Sequence, residues 1–287
     1  MRVIGAIKEI WRFPVKSMAG ERLERSPVGV LGIIGDRGWA LRDERVGEIR
    51  GAKKMPDLMR CHAAYVAEPA PGRVPDADII LPSGECVRTG NTLANEKLSA
   101  LVGRPVTLWP IQPPESTDFY RRARPDNPDM VQELRDIFGR TADEPIPDLS
   151  VFPPEIIKFT SPLGTYFDAF PLHLITTASL SELARRNPAA NFDVRRFRPN
   201  ILIETDGAVS GFADLEWSGQ TITIGEVRIK LEVPCPRCVM PTLPQDELPK
   251  DPSVLRTIVR ESAQNVGMYA SVARTGEIAV GDEVRLE

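Results

Sequence analysis

Twenty-seven prolines and 21 glycines run through this 287-residue chain, and they limit what it can fold into before any motif does. Proline lacks an N–H and clashes with the preceding helical turn, while glycine weakens regular elements through its backbone freedom. The chain is thus cut into short pieces with little room for long helices, and an α+β fold dominated by strands is expected. "RVIGAIKEIWR" alternates apolar and polar residues up to a break at Pro14. "RLERSPVGVLGIIGDRGWALRDE" repeats the habit with glycine punctuation, and "DADIILPSGECVRTG" reads as a hairpin. A helix is predicted over 92–102, capped by Asn91 or Thr92, with Leu93, Ala94, Leu98 and Leu101 on one face. Further helices are expected at "VQELRDIFG" and "TASLSELARRN", followed by a strand-rich tail from "NILIETD" to "GDEVRLE". Residues 110–130 hold five prolines and no apolar period, which marks a linker or crossover.

Charge and cysteine usage narrow the function classes. With 36 Lys+Arg against 40 Asp+Glu the formal net charge is −4, which argues against broad polyanion binding, so no nucleic-acid partner is expected. No run approaches the roughly 20 apolar residues of a membrane helix, and "MRVIGAIKEIWRFPVK" lacks a signal peptide's apolar core. A cytoplasmic protein without a membrane partner is the expectation. Four cysteines (Cys61, Cys86, Cys235 and Cys238) are too few for a disulfide scaffold and are expected as thiols.

Two of these thiols share the stretch "LEVPCPRCVMPT". A C-x-x-C pair can be half a zinc site, a redox dithiol, or one thiolate ligand with a neighbour. Zinc needs two more soft ligands, and the chain offers no second paired knuckle. A redox dithiol should open a helix, but Pro241 and Pro244 follow at once. The third reading is favoured, with Arg237 supplying positive charge beside a thiolate; burial of both cysteines as small apolar side chains is the bland alternative. Arg198 and Asn200 in "FRPN" lie at a strand entrance, Lys16 and Ser17 in "PVKS" end the first strand, and Arg37 sits in the turn "GDRGW". Singly, each basic residue reads as a solvated face. Together they form a set able to hold a phosphorylated, sulfur-bearing cofactor beside a thiolate. His173, inside "PLHLIT", reads as a hydrogen-bonded core residue, Cys61 and His62 should point to opposite faces of a strand, and Cys86 reads as a strand residue.

"PVKS", "GDRGW", "RRFRPNILI", "CPRCVMPT", "GMYASV" and "GEIAVGDEVRL" stand in an order that resembles MOSC-domain proteins with a MOSC N-terminal β-barrel-like domain, nearest to the amidoxime-reducing component and its bacterial relatives. The resemblance implies an N-terminal β-barrel-like domain over 1–122, a linker or crossover with a short helix over 123–144, and a C-terminal MOSC β-barrel domain with peripheral helices over 145–287. It implies a molybdenum cofactor (Mo-molybdopterin) and reduction of small N-hydroxylated substrates by oxygen-atom transfer. The chain ends at "VRLE" without the ferredoxin-like extension of some relatives. Electrons are therefore expected from a separate ferredoxin-, flavin- or cytochrome-type donor. By position, Cys238 matches the molybdenum ligand and Cys235 an accessory position. Lys16, Ser17, Arg37, Arg198, Asn200, Arg237 and Tyr269 match cofactor contacts, and Asp168 an aspartate beside the cofactor, where it and Tyr269 are candidate proton donors. Thr242 matches the recurrent threonine after the cysteine, while Pro241 departs from a position that is often threonine. The family's association with pyridoxal phosphate is not assigned to any residue. A sulfur carrier using a Cys238 persulfide and a non-catalytic cofactor-binding or transfer protein are the alternative functions. If the cofactor residues are split between the two domains as this implies, the site lies where the domains meet.

Overall fold

Alternating apolar residues turn the tail of the chain into strands with one buried face, and those faces meet in a closed barrel. The structure, a computed structural model, describes residues 1–207 and 209–287. Among them, seven strands close on themselves: β1 (Arg2–Arg12), β2 (Leu172–Thr176), β3 (Ile201–Thr205), β4 (Thr221–Ile224), β5 (Val227–Pro236), β6 (Asn265–Arg274) and β7 (Glu283–Leu286). The circuit runs β1, β3, β2, β6, β5, β4, β7 and back to β1; only β2 and β3 run parallel. The barrel is filled by side chains such as Ile4, Ile10, Leu174, Ile203, Ile222, Ile229, Met268 and Val284, as expected where few strands enclose too little space for a channel.

β1 departs from simple alternation, since its buried residues Ile4, Ile7 and Ile10 stand three apart. Register shifts between Val3 and Gly5 and between Ile7 and Glu9 explain it. Each bulge adds a residue, and the inward position moves from every second to every third. β1 is also the first strand of the sequence, yet its partners β3 and β7 belong to the C-terminal half. Gly276–Ala279 returns the exchange by pairing with Arg25–Gly29. A linear division at residues 122 and 145 does not carry this interlock, which binds the two halves along shared sheet edges.

The rest of the first half has its own core. Trp39–Asp43, Glu48–Arg50 and Val106–Pro110 form one three-stranded sheet. His62–Tyr65, Ala77–Ile80 and Cys86–Arg88 form another, the last two being the expected hairpin. Leu41, Leu58, Ile79, Val87, Leu98 and Val106 pack between them. Cys61 is buried and His62 half exposed, and burial pushes the Cys61 thiol up to about 12.

The expected helices are α1 (Thr92–Val102), α2 (Met130–Phe138) and α3 (Thr177–Arg186). Asn91 caps α1 by accepting from Leu93 N at 2.9 Å. Ala94 and Leu98 are its buried residues, whereas Leu93 lies off the packed face at 41% exposure. A fourth helix, α4 (Pro252–Glu261), lies within the tail expected to be strand-rich, in a stretch to which no element was assigned. "SVLRTIV" is rich in β-branched residues and mimics a strand. Asp251, accepting from Ser253 N, with Pro252 in the first turn, starts a helix that buries Val254, Leu255 and Ile258.

The proline-rich crossover is anchored to both halves. Tyr120 is fully buried against Tyr166 and donates its hydroxyl to Gln112 O at 2.5 Å. Asp126 pairs with Arg50 at 2.7 Å and Lys54 at 3.1 Å, and Lys54 also reaches Glu133 at 2.7 Å.

A buried carboxyl at the N-terminus of α3 gives the fold a measurable pH dependence. Asp214 is 2% exposed, accepts from Ser179 Oγ through Oδ1, and among the described residues has no hydrogen-bond partner for Oδ2. Burial pushes its pKa up to about 6. The folded state therefore keeps a proton that an unfolded aspartate releases near pH ~4, so stability declines as pH rises from there to about 6 and the penalty persists above. Asp214→Asn is expected to stabilise the protein at pH 7.5 by about 2 kcal/mol and to change little near pH ~4. Thermal melts at the two pH values test this; equal shifts at both would contradict it.

Candidate functional site

The site is assembled from turns at one end of the barrel. β1 runs into the turn Phe13–Met18, which is tied to the turn 35–39 by Lys16 N to Trp39 O (2.8 Å), Trp39 N to Pro14 O (3.0 Å) and Arg37 N to Phe13 O (2.7 Å). Ser17 (φ 71°), Arg37 (φ 52°) and Arg198 (φ 55°) all adopt left-handed backbone without being glycine. Each such residue costs on the order of 1–3 kcal/mol and persists only where its surroundings enforce it. Ser17 Oγ accepts from Ala52 N at 2.9 Å, and the neighbouring residue must be Gly51, since a Cβ there would fall 2.3 Å from that oxygen. The Arg198 and Arg37 guanidinium groups lie 4.1 and 5.2 Å from the Phe13 ring centroid. Arg37 pairs with Asp36, and Arg198 Nη1 donates to Met18 O. Burial, with the like charge of Arg37, pushes the Arg198 pKa down to about 9, so this buried guanidinium is short of anionic partners.

The bulged end of β5 supplies the thiols. Cys235 is 1% exposed and accepts from Arg237 Nη1 at 3.0 Å; burial raises its pKa, against the pull of Arg237 and a hydrogen bond with Tyr269. Burial also holds the Tyr269 phenol well above its ordinary range. Cys238, three residues on, is half-buried. The two thiols are thus placed differently, Cys235 buried and held by Arg237 and Cys238 only half-buried. Arg237 donates to Phe197 O at 2.9 Å and lies 3.3 Å from His173 Nε2. Burial, then Arg237, holds His173 well below its ordinary range, so it is a neutral core residue that buttresses Arg237. Gly267 (φ 74°) allows this approach, because a Cβ there would lie 2.8 Å from His173 Nε2 and 2.3 Å from Leu174 O. Asn200 turns its amide to the backbone, accepting from His173 N at 3.1 Å and donating to Trp11 O at 3.4 Å. It staples β1 to β2 behind Arg198. Thr242 Oγ1 closes the turn after Cys238 by donating to Val239 O at 2.7 Å.

Asp168 joins the two sides. Lys16 Nζ donates to Asp168 Oδ1 at 2.9 Å and to Tyr166 O at 2.5 Å, and Lys53 Nζ lies 3.7 Å from Oδ2. Asp168 is 44% exposed and Lys53 32%. Enclosure opposes the Asp168 charge, but Lys16, Lys53 and Arg37 outweigh it and hold the carboxyl well below its usual range. Asp168 is therefore an ionised counter-ion at neutral pH and a poor proton source. Burial lowers the Lys16 pKa; in Lys53 the Asp168 charge outweighs burial and raises it. Lys53 is within electrostatic reach of Cys238 and Cys235 as well as Asp168, so residues from both halves of the chain act on one another here.

Sequence reading missed Lys53 and Arg140. Lys53 belongs to "GAKKMP", which carries the signal of a solvated face. Arg140 follows α2, is 6% exposed, and donates to Arg237 O at 2.9 Å and Gln264 Oε1 at 2.9 Å, fixing the peptide that leads into Cys238. No local pattern announces a contact 97 residues away.

The residues suit a phosphorylated, sulfur-bearing cofactor. Among the described residues Arg198 Nη2 and Arg237 Nε are buried without a hydrogen-bond partner, and such donors cost about 1–3 kcal/mol each unless an acceptor meets them. Among the described residues no group of three or more His, Cys, Asp or Glu side chains is arranged to hold a metal ion. Cys238 instead offers one soft donor beside a cationic wall, as a metal that brings its own sulfur ligands would require.

A closed barrel joined to a second β-rich unit along shared sheet edges defines a two-module, β-dominated protein. The chain is a MOSC-domain protein: residues 164–285 match the MOSC domain and residues 4–99 the MOSC N-terminal beta barrel domain. It is similar to mitochondrial amidoxime reducing component 2 from Homo sapiens, at 26% identity over 99% of this chain and 84% of that one, and from Rattus norvegicus, at 28% over the same shares. A stretch covering 27% of the chain is 38% identical to molybdenum cofactor sulfurase from Drosophila pseudoobscura pseudoobscura, over 10% of that protein. The solved YuaD protein from Bacillus subtilis aligns over 100% of this chain and 97% of its own, with a TM-score of 0.45 and 12% identity. Among the described residues no helix is long and apolar enough to cross a membrane.

Proposed function

We propose that this protein binds the molybdenum cofactor and reduces N-hydroxylated compounds by oxygen-atom transfer, taking electrons from a separate donor protein. The observation that carries this reading is the half-buried Cys238 thiol in a cleft where Arg198 and Arg237 keep unpaired buried N–H groups. When bound, the cofactor would supply the two-electron redox chemistry. Cys238 would be its soft protein ligand. Lys16, Ser17, Arg37 and Arg198 would hold its phosphate and pterin, since guanidinium and ammonium groups remain charged and match phosphate oxygens. Arg237 is aimed by Cys235, Phe197 and His173, and Arg140 fixes the peptide between it and Cys238. Asp168 positions Lys16 and Lys53. Lys53 Nζ keeps its proton and holds it at the cleft, where loss of an N-hydroxy oxygen as water requires protons.

The test is metal analysis with pterin fluorescence after oxidative release, on protein made in a cofactor-competent host, together with turnover of benzamidoxime by a reduced artificial donor. Molybdenum and pterin near one per chain with turnover supports the reductase. Stoichiometric cofactor without turnover would make it a binding or transfer protein. Sulfane sulfur on Cys238 without molybdenum would make it a sulfur carrier.

A further inference from the structure

Lys16 and Lys53 both reach the carboxylate of Asp168, and Lys53 has no role in holding the cofactor. Lys16 satisfies Asp168 at 2.9 Å, which leaves Lys53 in looser contact at 3.7 Å with its ammonium one-third exposed. Arg122 stands in the same field. It is exposed, it is anchored by Nε to Ile156 O at 2.8 Å and by its backbone N to Lys158 O at 3.0 Å, and among the described residues it makes no ion pair. The like charge of Arg122 acts on Lys53, Asp168 acts on both, and Glu48 acts on Arg122. The other acids nearby are already neutralised: Glu48 by Arg50 at 3.1 Å, Asp126 by Arg50 and Lys54, and Glu133 by Lys54. Lys16, Lys53 and Arg122 share the single carboxylate of Asp168, and the excess positive charge, partly accessible to solvent, focuses a positive potential there.

We propose that Lys53 and Arg122 are specificity-determining residues that select N-hydroxylated substrates bearing a carboxylate or phosphate group. The proposal rests on the reductase reading above and names its substrate class. Charge complementarity at a partly enclosed site discriminates between partners and is weakened by salt. 4-Carboxybenzamidoxime is expected to exceed neutral benzamidoxime by roughly tenfold in kcat/KM at low ionic strength, and the ratio should shrink as salt is added. In the double variant Lys53→Met, Arg122→Met the ratio should fall to about one, and Lys53→Glu should invert it.

Calorimetric binding of the two probes to the purified protein, with and without turnover, separates the two readings. If neither probe is reduced but the carboxylate binds more tightly and loses that advantage in the double variant, the anion selectivity stands and the reductase reading fails. If benzamidoxime is reduced but the wild-type ratio is near one, or the ratio survives in the double variant, the selectivity proposal is overturned. A fall in molybdenum content in the double variant with an unchanged ratio would likewise overturn it, and would assign these bases to the cofactor.

Discussion

Protein carrying Cys238→Ser or Cys238→Ala is expected to lose N-hydroxy reduction entirely and to retain little molybdenum, while Cys235→Ser keeps the metal and most of the activity. Only one thiol of the pair is free to serve as a ligand. Cys235 is 1% exposed, engaged by Arg237 at 3.0 Å and by Tyr269, and held protonated by burial; Cys238 is half-buried at the cleft. A serine hydroxyl at 238 is a hard, poorly ionised donor in place of a soft thiolate. At 235 a hydroxyl can still accept from Arg237, so the aim of that arginine is largely preserved and a reduction of no more than about tenfold is expected. Parallel metal assays and steady-state kinetics decide it. Equal metal loss in both variants would indicate a paired-thiol site, and full activity in the Cys238 variants would remove the ligand assignment.

Arg196→Ala is expected to destabilise the fold by about 3–5 kcal/mol, the largest stability effect of any single substitution considered. Arg196 is 1% exposed and makes no ion pair among the described residues. Its guanidinium donates to four carbonyl oxygens: Asn191 (3.0 Å), Pro241 (3.1 Å), Leu243 (3.4 Å) and Pro249 (2.9 Å). The segment 239–249 immediately follows Cys238, and its prolines remove backbone donors that could hold it in a ladder. Truncation strands those carbonyls and leaves a cavity. Arg196→Lys should recover only part of the loss, because one ammonium cannot span the fork. Denaturant midpoints and protease sensitivity of 239–249 are the measurements; a lysine variant as stable as the parent would refute the fork argument.

The chemistry of the site was legible where a residue type is costly to place without purpose. Cys238 in a proline frame, Arg198 before a strand, and Arg37 and Lys16 in turns stand out in the sequence as candidates because each stands at the end of a local pattern. Asn200 was legible as a site-forming residue, but its amide serves the backbone of His173 and Trp11. Lys53, Arg122 and Arg140 could not be found this way, since a base on a polar segment has the same local signature whether it faces solvent or a cleft.

The fold divides along the same line. The sequence by itself determined the short elements, because proline spacing, alternation and caps act over a few residues: β5, the hairpin of Ala77–Ile80 with Cys86–Arg88, and α1 behind Asn91 all follow from local rules. It did not determine α4, whose cap and apolar spacing compete with strand-like composition until burial of Val254, Leu255 and Ile258 decides between them. Nor did it determine that β1 would close a barrel made by strands some 200 residues later. That pairing depends on which apolar faces find each other, and on two bulges that keep Ile4, Ile7 and Ile10 pointing inward. Tertiary structure alone set β1 beside β3, and thereby brought Arg198 onto Met18 O in the turn that carries Lys16 and Ser17. The distance along the chain hides this from any local pattern, and the burial of one shared core enforces it.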